Sequence, residues 1–358
     1  MVEYIMVFND VILLKKRCIY MDFKQVCDEA RGNIGPFCKA CYVCNGVACK
    51  NTIPGPGAKG MGDVAIRNWQ KWQEVRVNMD TLCENADIDT SVTLFGKKFS
   101  LPVFAGPVGA VKLHYGEKYT DLEYNDILLK GTKECGIAAF TGDGTNPQVM
   151  ISAADMIKKY DGCGVPTIKP WNIDTIREKF DLIKDSGCFA VAMDVDAAGL
   201  PFLKNMTPPA GSKTTEQLKE IIRLSPAPFI VKGVMTVKGA MKAKEAGAAA
   251  IIVSNHGGRV LDGTPGTAEV LPQIVAAVKG EMTILVDGGI RSGLDVFKAL
   301  AMGADGVVIA RPFVTAVYGG GEEGIKAYTD KLKAELCDVM AMCGAKNIGE
   351  INSDMLYR

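Results

Sequence analysis

The feature that most restricts the fold of this chain is the regular alternation of short apolar runs with helical patterns after residue 100. Eight runs are apolar at nearly every position, which is typical of parallel strands covered on both faces. They span residues 101–106, 137–142, 165–170, 189–196, 228–233, 249–255, 283–289 and 305–312. This pattern predicts an α/β fold, a (β/α)8 TIM barrel. A doubly wound open sheet is the competing arrangement, but no GxGxxG sequence follows the first run.

Polar residues follow the sixth apolar run in the sequence SNHGGR, which contains His256 and Arg259. A histidine at the carboxyl end of a barrel strand can accept a proton near neutral pH. The planar guanidinium of Arg259 is suited to a carboxylate ligand. An ordinary loop histidine beside a surface arginine is the alternative interpretation.

The seventh and eighth runs end in the candidate residues Gly288, Gly289, Arg291, Ala310 and Arg311. Loops at these two places in barrels of this kind often bind phosphate through backbone N–H groups and a helix N-terminus. The pattern therefore predicts a phosphate site, although the glycines could also serve only to form turns.

Further charged residues end the fourth and fifth runs. Lys232 needs an anionic partner if it is buried at a strand tip, and a reduced flavin would supply one; alternatively, it extends to the surface. Asp196 could orient His256 and stabilise its charged form. Asp194 lies equally near in the sequence, so this choice between the two carboxylates stays open.

The sequences SNHGGRVLD, IVKGV and VDGGIRSGLDVFKALAMGADGVVIARP resemble the FMN-dependent α-hydroxy acid oxidases and dehydrogenases, such as lactate and glycolate oxidases. The resemblance runs from about residue 60 to the C-terminus. It implies the barrel fold, bound FMN and oxidation of a small, lactate-like 2-hydroxy acid to the 2-oxo acid. Electrons would pass to O2 or another acceptor. A homotetramer is also implied by the resemblance alone.

The resemblance assigns roles to individual residues. His256 would be the base, Arg259 the clamp for the substrate carboxylate, and Lys232 and Ser254 contacts of the flavin ring. Pro107, Val108 and Gly109 would lie along the flavin N5 edge. Thr141 and Gly142 would lie beside the ring, and the phosphate would be held by Asp287, Gly288, Gly289, Arg291, Ala310 and Arg311.

The chain also departs from that family. Where the family usually has a tyrosine, this chain has Lys169, a further candidate cofactor contact, and Trp171. The family also has a second carboxylate-binding arginine shortly after the strand-four aspartate, whereas this chain has only Lys204, further along the sequence. These changes affect the predicted identity of the substrate more than that of the cofactor. Two alternatives therefore remain: a flavin-dependent isomerase of the isopentenyl-diphosphate type, and a flavin- or metal-holding redox sensor or electron-transfer protein.

Four of the 12 cysteines, Cys38, Cys41, Cys44 and Cys49, have the spacing C-x2-C-x2-C-x4-C. Such thiols can bind Zn²⁺ or an iron–sulfur cluster. Free or redox-active thiols are an equally weighted interpretation, and disulfides are a weaker one. The second histidine, His114, is expected to have a structural or supporting role.

Composition limits the partners and the compartment. The chain carries 41 basic and 41 acidic residues, which removes the electrostatic argument for nucleic acid or an anionic membrane surface. Its cysteine usage fits a reducing cytoplasm. We expect a loose extension over residues 1–20, too short to span a bilayer, a Cys-rich segment over 21–60, and the barrel with a C-terminal helix over 61–358.

Overall fold

The centre of the computed structural model is a closed barrel of eight parallel strands, as the sequence predicts. The structure describes residues 21–200, 203, 207 and 210–357, so the predicted extension over 1–20 and Lys204 lie outside the described residues. The barrel strands are β3 (Val103–Ala105), β4 (Ala138–Thr141), β5 (Gly164–Ile168), β6 (Val191–Asp194), β7 (Phe229–Val234), β8 (Ala250–Val253), β9 (Thr283–Val286) and β10 (Gly306–Ile309). Each strand pairs with the next, and β10 closes the barrel by pairing with β3.

Alternating side chains divide the apolar residues between two cores. Phe104 and Val308 belong to the core inside the barrel, whereas their neighbours Val103 and Val307 belong to the core between the strands and the helices. This division follows from the two-residue period of a strand, which sends successive side chains to opposite faces. Because both faces are covered, the strands carry apolar residues at almost every position.

A short antiparallel hairpin packs against one end of the barrel interior and was not predicted from the sequence. Its strands are β1 (Val92–Leu94) and β2 (Lys97–Phe99). The Phe99 ring meets the Phe104 ring edge-on, with 5.0 Å between centroids. The hairpin therefore extends the inner core at the end of the barrel where the strands begin.

Helices surround the barrel, and several begin at residues whose side chains cap them. Thr120, Thr214 and Ser292 each accept a hydrogen bond from a backbone N–H in the first helical turn. The helices that follow strands are α3 (Val111–Tyr115), α4 (Asp121–Glu134), α5 (Pro147–Lys159), α6 (Ile173–Ile183), α7 (Thr215–Leu224), α8 (Val237–Glu245), α9 (Thr267–Val278), α10 (Gly293–Ala301) and α11 (Arg311–Met342). The non-helical backbone of Gly321 kinks α11.

The segment before the barrel contributes two helices and a long irregular stretch. Helix α1 (Phe23–Asn33) packs on α11, and α2 (Val64–Glu74) packs near α9 and α10. Residues 34–63, which contain the four closely spaced cysteines, form no helix or strand. In the part of the chain that the structure describes, no helix combines the length and apolar character needed to cross a membrane.

Candidate active site at the carboxyl ends of the strands

A cavity of about 310 Å³ opens where the barrel strands end, the face on which barrel enzymes build their active sites. Its lining includes most of the residues singled out from the sequence. These are Pro107, Val108, Gly109, Lys169, Lys232, His256, Arg259, Asp287, Gly288, Gly289, Arg291, Ala310 and Arg311. Residues from the ends of six different strands therefore line the same cavity.

His256 is positioned by the tight turn that follows β8. Its backbone N–H donates to Ser254 Oγ at 3.1 Å, and its φ of 55° is in the left-handed region. The imidazole Nδ1 lies 3.0 Å from Asp196 Oδ1. Because a carboxylate only accepts hydrogen bonds, this contact places the proton on Nδ1 and leaves Nε2 with a free lone pair.

The surroundings of His256 favour its neutral form. Burial lowers the pKa of His256 well below its ordinary value, and the nearby Lys232 and Lys169 ammonium groups lower it further. Burial raises the pKa of the partner Asp196, an effect that the same two lysines oppose. A neutral imidazole with a free Nε2 can accept a proton, which is what a general base requires.

Asp194 and Asp196, which the sequence could not distinguish, have different partners. Asp194 accepts from Lys169 Nζ at 2.6 Å and is nearly inaccessible to solvent, whereas Asp196 contacts His256. Asp194, Asp196 and His256 also form the only group among the described residues whose ligand atoms are close enough for one metal ion. The lysine and the imidazole already engage these carboxylates, so the arrangement is explained without a metal.

Lys232 is buried near the end of β7, and its polar partners lie just past the ends of β8 and β9. Its Nζ donates to Ser254 Oγ at 3.0 Å and lies 3.4 Å from Asp287 Oδ2. Burial alone would lower the pKa of Lys232, but Asp287 and Asp196 outweigh it and the pKa is raised. Lys232 is therefore a positive charge fixed at the cavity wall, not a lysine that extends to the surface.

Arg259 reaches the cavity from the same turn as His256 and is held by the segment before the barrel. Its guanidinium donates to the carbonyl oxygens of Gly55 and Gly57. Burial lowers the pKa of Arg259 from its ordinary value. The two contacts use Nη1 only, and the guanidinium has further N–H groups that can meet a ligand.

The loops after β9 and β10 add further polar groups to the cavity lining. Arg291 donates from Nε to the Cys44 carbonyl at 2.6 Å, and Arg311 donates from Nη2 to the Gly257 carbonyl at 3.0 Å. Gly289 has a φ of 89°, and a Cβ there would lie 2.4 Å from the backbone of Asn68. Glycine is thus required at this turn, where the backbone packs directly against Asn68.

The remaining candidates lie behind the cavity wall. Ser254 contacts Lys232 and Asp196 contacts His256, as described above. Thr141 is fully buried at the tip of β4, and its hydroxyl has no hydrogen-bond partner among the described residues. A Cβ on Gly142 would lie 2.4 Å from the backbone nitrogen of Gly109, so these two strand ends touch through backbone alone.

Several cavity residues were not found from the sequence. Leu113, Leu200 and Leu203 add apolar surface, and His114 lines the same cavity. Burial and the Arg259 charge lower the pKa of His114 to about 4, so this ring is neutral. No motif marks these positions, because they lie on connections whose path depends on the folded barrel.

The four closely spaced cysteines do not converge on one point. No three of the described cysteine sulfurs approach to within 4.8 Å of one another, and every cysteine in the described ranges is free. The structure therefore gives no support to the predicted zinc site, because Zn²⁺ holds its sulfur ligands at about 2.3 Å. It likewise shows no disulfide among the described residues.

Comparison with known proteins identifies the family. The family model described as FMN-dependent dehydrogenase matches residues 56–201 and 193–358. The chain belongs to the FMN-dependent dehydrogenase family. It is thus related to the α-hydroxy acid oxidases and dehydrogenases, as its motifs indicate.

Individual relatives show how far the similarity extends. A peroxisomal (S)-2-hydroxy-acid oxidase from Oryza sativa subsp. japonica is 33% identical over 302 residues, 75% of this chain and 81% of that protein. An L-lactate dehydrogenase from Allorhizobium ampelinum is 45% identical over 155 residues, which are 43% of this chain and only 40% of the relative. A structure of mandelate oxidase with (S)-2-phenylpropionate superimposes with a TM-score of 0.74 at 26% identity, covering 94% of this chain and 98% of the other.

The cavity has the features that FMN requires. The buried Lys232 offers a fixed positive charge at the cavity wall, and Arg291 and Arg311 offer donors to a phosphate. Behind the wall, the Thr141 hydroxyl lacks a hydrogen-bond partner among the described residues. One cavity thus combines a buried ammonium group with two separate guanidinium groups, which matches a molecule that carries both a polar ring system and a phosphate. The residues present therefore fit the family's cofactor.

Proposed function

We propose that this protein oxidises a small 2-hydroxy acid with an apolar side chain to the 2-oxo acid, with His256 as base and Arg259 as carboxylate clamp. The observation that carries the proposal is the contact of the His256 imidazole Nδ1 with Asp196, on the wall of a cavity that also contains the Arg259 guanidinium. Both side chains leave the same turn after β8, so their relative position is set by one short backbone segment.

His256 would remove the proton from the substrate hydroxyl through Nε2. The Asp196 contact fixes the ring orientation and stabilises the charged ring that forms when the proton arrives. Asp196 acts through His256 and is a positioning residue. Burial, together with the Lys232 and Lys169 charges, lowers the pKa of His256 and so favours the neutral imidazole before substrate binds.

Arg259 would bind the substrate carboxylate. Its Nη1 is tied to the Gly55 and Gly57 carbonyls, which fixes the plane of the guanidinium and leaves its other donors for two carboxylate oxygens. Lys169 cannot readily serve as a second clamp, because its ammonium is already paired with Asp194 at 2.6 Å. Of the two described candidates, Arg259 is therefore the one that would set the carboxylate position.

Bound FMN would supply the two-electron chemistry by accepting a hydride equivalent from the substrate carbon. Lys232 would lie against the ring system, and Gly288, Gly289, Arg291 and Arg311 would hold the phosphate. O2 or another electron acceptor would restore the oxidised cofactor.

The rest of the cavity indicates what the substrate carries besides its carboxylate and hydroxyl. Leu113, Leu200 and Leu203 are apolar and line the wall. They favour an apolar group on the 2-hydroxy acid, from the methyl group of lactate to a larger aliphatic or aromatic group. The isomerase alternative would leave the paired His256 and Arg259 side chains without a role, which weighs against it.

The test is the reaction of FMN-loaded protein with lactate and mandelate under nitrogen, in the wild type and in His256→Ala. We expect the wild-type flavin to lose its absorbance, and the rate to fall at least roughly a hundredfold in the variant. The variant should retain FMN, because His256 carries none of the predicted phosphate contacts. An unchanged rate of flavin reduction in a variant that still binds FMN would show that His256 is not the base.

A further inference from the structure

We propose that Asn68, on helix α2, is a positioning residue for the proposed base, because its amide holds the turn that carries His256. The inference rests on the function proposed above for His256. Asn68 belongs to the wall of the cavity, but its side chain is inaccessible to solvent, so it acts on the site through its neighbours. The segment before the barrel would thus contribute to the geometry of the reaction.

The side chains of Asn68 and Asn255 form a closed pair of hydrogen bonds. Asn68 Nδ2 donates to Asn255 Oδ1 at 2.8 Å, and Asn255 Nδ2 donates to Asn68 Oδ1 at 2.9 Å. Both residues are buried. Two reciprocal bonds between planar amides fix their relative orientation as well as their distance, so the pair joins α2 firmly to the residue that follows Ser254.

A backbone partner fixes which way round each amide lies. Asn68 Oδ1 also accepts from the Thr267 N–H at 3.1 Å, and Asn255 Nδ2 also donates to the Pro265 carbonyl at 3.0 Å. Turning either amide over would place two donors or two acceptors against each other. The pair therefore has one arrangement, and the loss of either amide leaves buried polar groups without partners.

The turn that follows Asn255 has a backbone conformation that needs support. His256, Gly257 and Gly258 have φ values of 55°, 63° and 81°. This conformation is unfavourable for a residue with a side chain, such as His256, and persists where surrounding contacts enforce it. Because Asn255 directly precedes His256, the amide pair anchors the beginning of this turn.

Asn68 also packs against the glycine turn that follows β9. A Cβ on Gly289 would lie 2.4 Å from the Asn68 backbone, and a Cβ on Gly288 would lie 3.0 Å from Asn68 Nδ2. On the same face of α2, Trp72 Nε1 donates to the Gly288 carbonyl at 2.8 Å. One helix face thus contacts both the turn that carries the proposed base and the turn predicted to hold the phosphate. Asn68 therefore sets the position of His256 relative to the cofactor site.

The first measurement does not depend on catalysis. The chain has two histidines, so protein labelled with ¹⁵N-histidine gives two sets of ring signals, and His114→Gln identifies those of His256. In the wild type we expect the proton of His256 on Nδ1, toward Asp196. Asn68→Leu keeps the shape of the side chain but removes both hydrogen bonds, and we expect it to give a mixture of the two neutral tautomers.

Circular dichroism on the same samples reports whether the variant has folded. Wild-type His256 signals in folded Asn68→Leu protein would overturn the proposal, whether or not any acid reduces the flavin. Wild-type protein whose bound FMN no 2-hydroxy acid reduces would instead count against the proposed oxidation, and the ring signals would still test the role of Asn68.

The second measurement is the limiting rate of anaerobic flavin reduction at saturating substrate in the FMN-loaded fraction. We expect Asn68→Leu and Asn255→Leu each to lower this rate at least roughly tenfold, because small displacements of a reacting group have large effects. The double variant should be no slower than the slower single variant, because each change already breaks the whole pair.

Gln70→Met is the matched control, since it removes an exposed amide from the same helix and should leave the rate unchanged. A role of Asn68 in stability alone would lower the FMN content or the unfolding temperature but not the limiting rate of the loaded fraction. A wild-type limiting rate in FMN-loaded Asn68→Leu would therefore overturn the proposal.

Asn68→Asp provides a second test if the leucine variants do not fold. Its carboxyl group can still accept from Thr267 and Asn255, but it can donate to Asn255 Oδ1 only when it is protonated. Burial raises the pKa of such a group, so its limiting rate should approach that of the wild type as the pH is lowered from about 8 to about 6. A rate that stays below about a tenth of the wild-type rate throughout this range would contradict the role of the amide pair.

Discussion

The hydrogen bond between His256 and Asp196 provides a quantitative test of the proposed base. Asp196→Asn keeps the size of the side chain but removes the charge that lies 3.0 Å from the imidazole Nδ1. At that distance two unit charges interact by about 5 kcal/mol at an effective dielectric constant of about 20. Lys169 and Lys232 offset part of this attraction, so we expect a loss of about 3 kcal/mol when the imidazole becomes charged. This corresponds to a roughly 150-fold slower proton removal.

The assay is the rate of anaerobic flavin reduction by saturating substrate, measured by stopped-flow absorbance. Asp305→Asn is the matched control, because Asp305 pairs with Lys279 at the opposite end of the barrel and should have no effect on the rate. The pH dependence of this rate is a second measurement, which a purely structural role of Asp196 would leave unchanged. Loss of the carboxylate should lower the His256 pKa still further and so shift the acidic limb of the profile to lower pH. A rate in Asp196→Asn within threefold of the wild type would refute the stated role of the carboxylate.

Three further predictions concern the carboxylate clamp, the phosphate end and pH. Arg259→Lys should weaken substrate binding at least tenfold in flavin-reduction titrations, because an ammonium cannot form two parallel hydrogen bonds to a carboxylate; unchanged affinity would contradict the clamp. Arg291→Gln should weaken FMN retention in equilibrium dialysis while leaving flavin reduction in the loaded fraction largely unchanged, and equal retention would exclude Arg291 from the phosphate site. Because the pKa of His256 is lowered and its neutral form is the base, kcat/KM should stay level from pH 8 down to about 6.5 and fall only in more acidic buffers; a decline centred above pH 7 would be inconsistent with this.

The barrel was predictable because its signals are local and repeated. Each predicted run contains or nearly contains its strand; for example, Ala250–Val253 lies within 249–255 and Phe229–Val234 is shifted by one residue from 228–233. Both faces of such a strand are buried, so apolar residues occur at almost every position. The hairpin formed by β1 and β2 escaped prediction because its strands have three residues each, too few for a period to emerge.

Site residues were predictable only where a local sequence motif at the end of a strand marks them. His256 and Arg259 are marked by their glycine-rich turn, but the partner of each depends on three-dimensional proximity. Asp194 and Asp196 are the same residue type and lie two positions apart. Only the folded structure shows that Asp194 contacts Lys169 and Asp196 contacts His256. The contacts of Arg259 with Gly55 and Gly57 join segments about 200 residues apart, and no local pattern could reveal them.

The most direct test of the proposed oxidation is to count product against cofactor in a single anaerobic turnover. FMN-loaded protein is mixed under nitrogen with excess glycolate, lactate or mandelate, and both the flavin absorbance and the 2-oxo acid formed are measured. We predict that at least one of these acids bleaches the flavin completely and yields one 2-oxo acid per bound FMN. Flavin that stays oxidised with all three acids, in protein shown to contain FMN, would contradict the proposed oxidation.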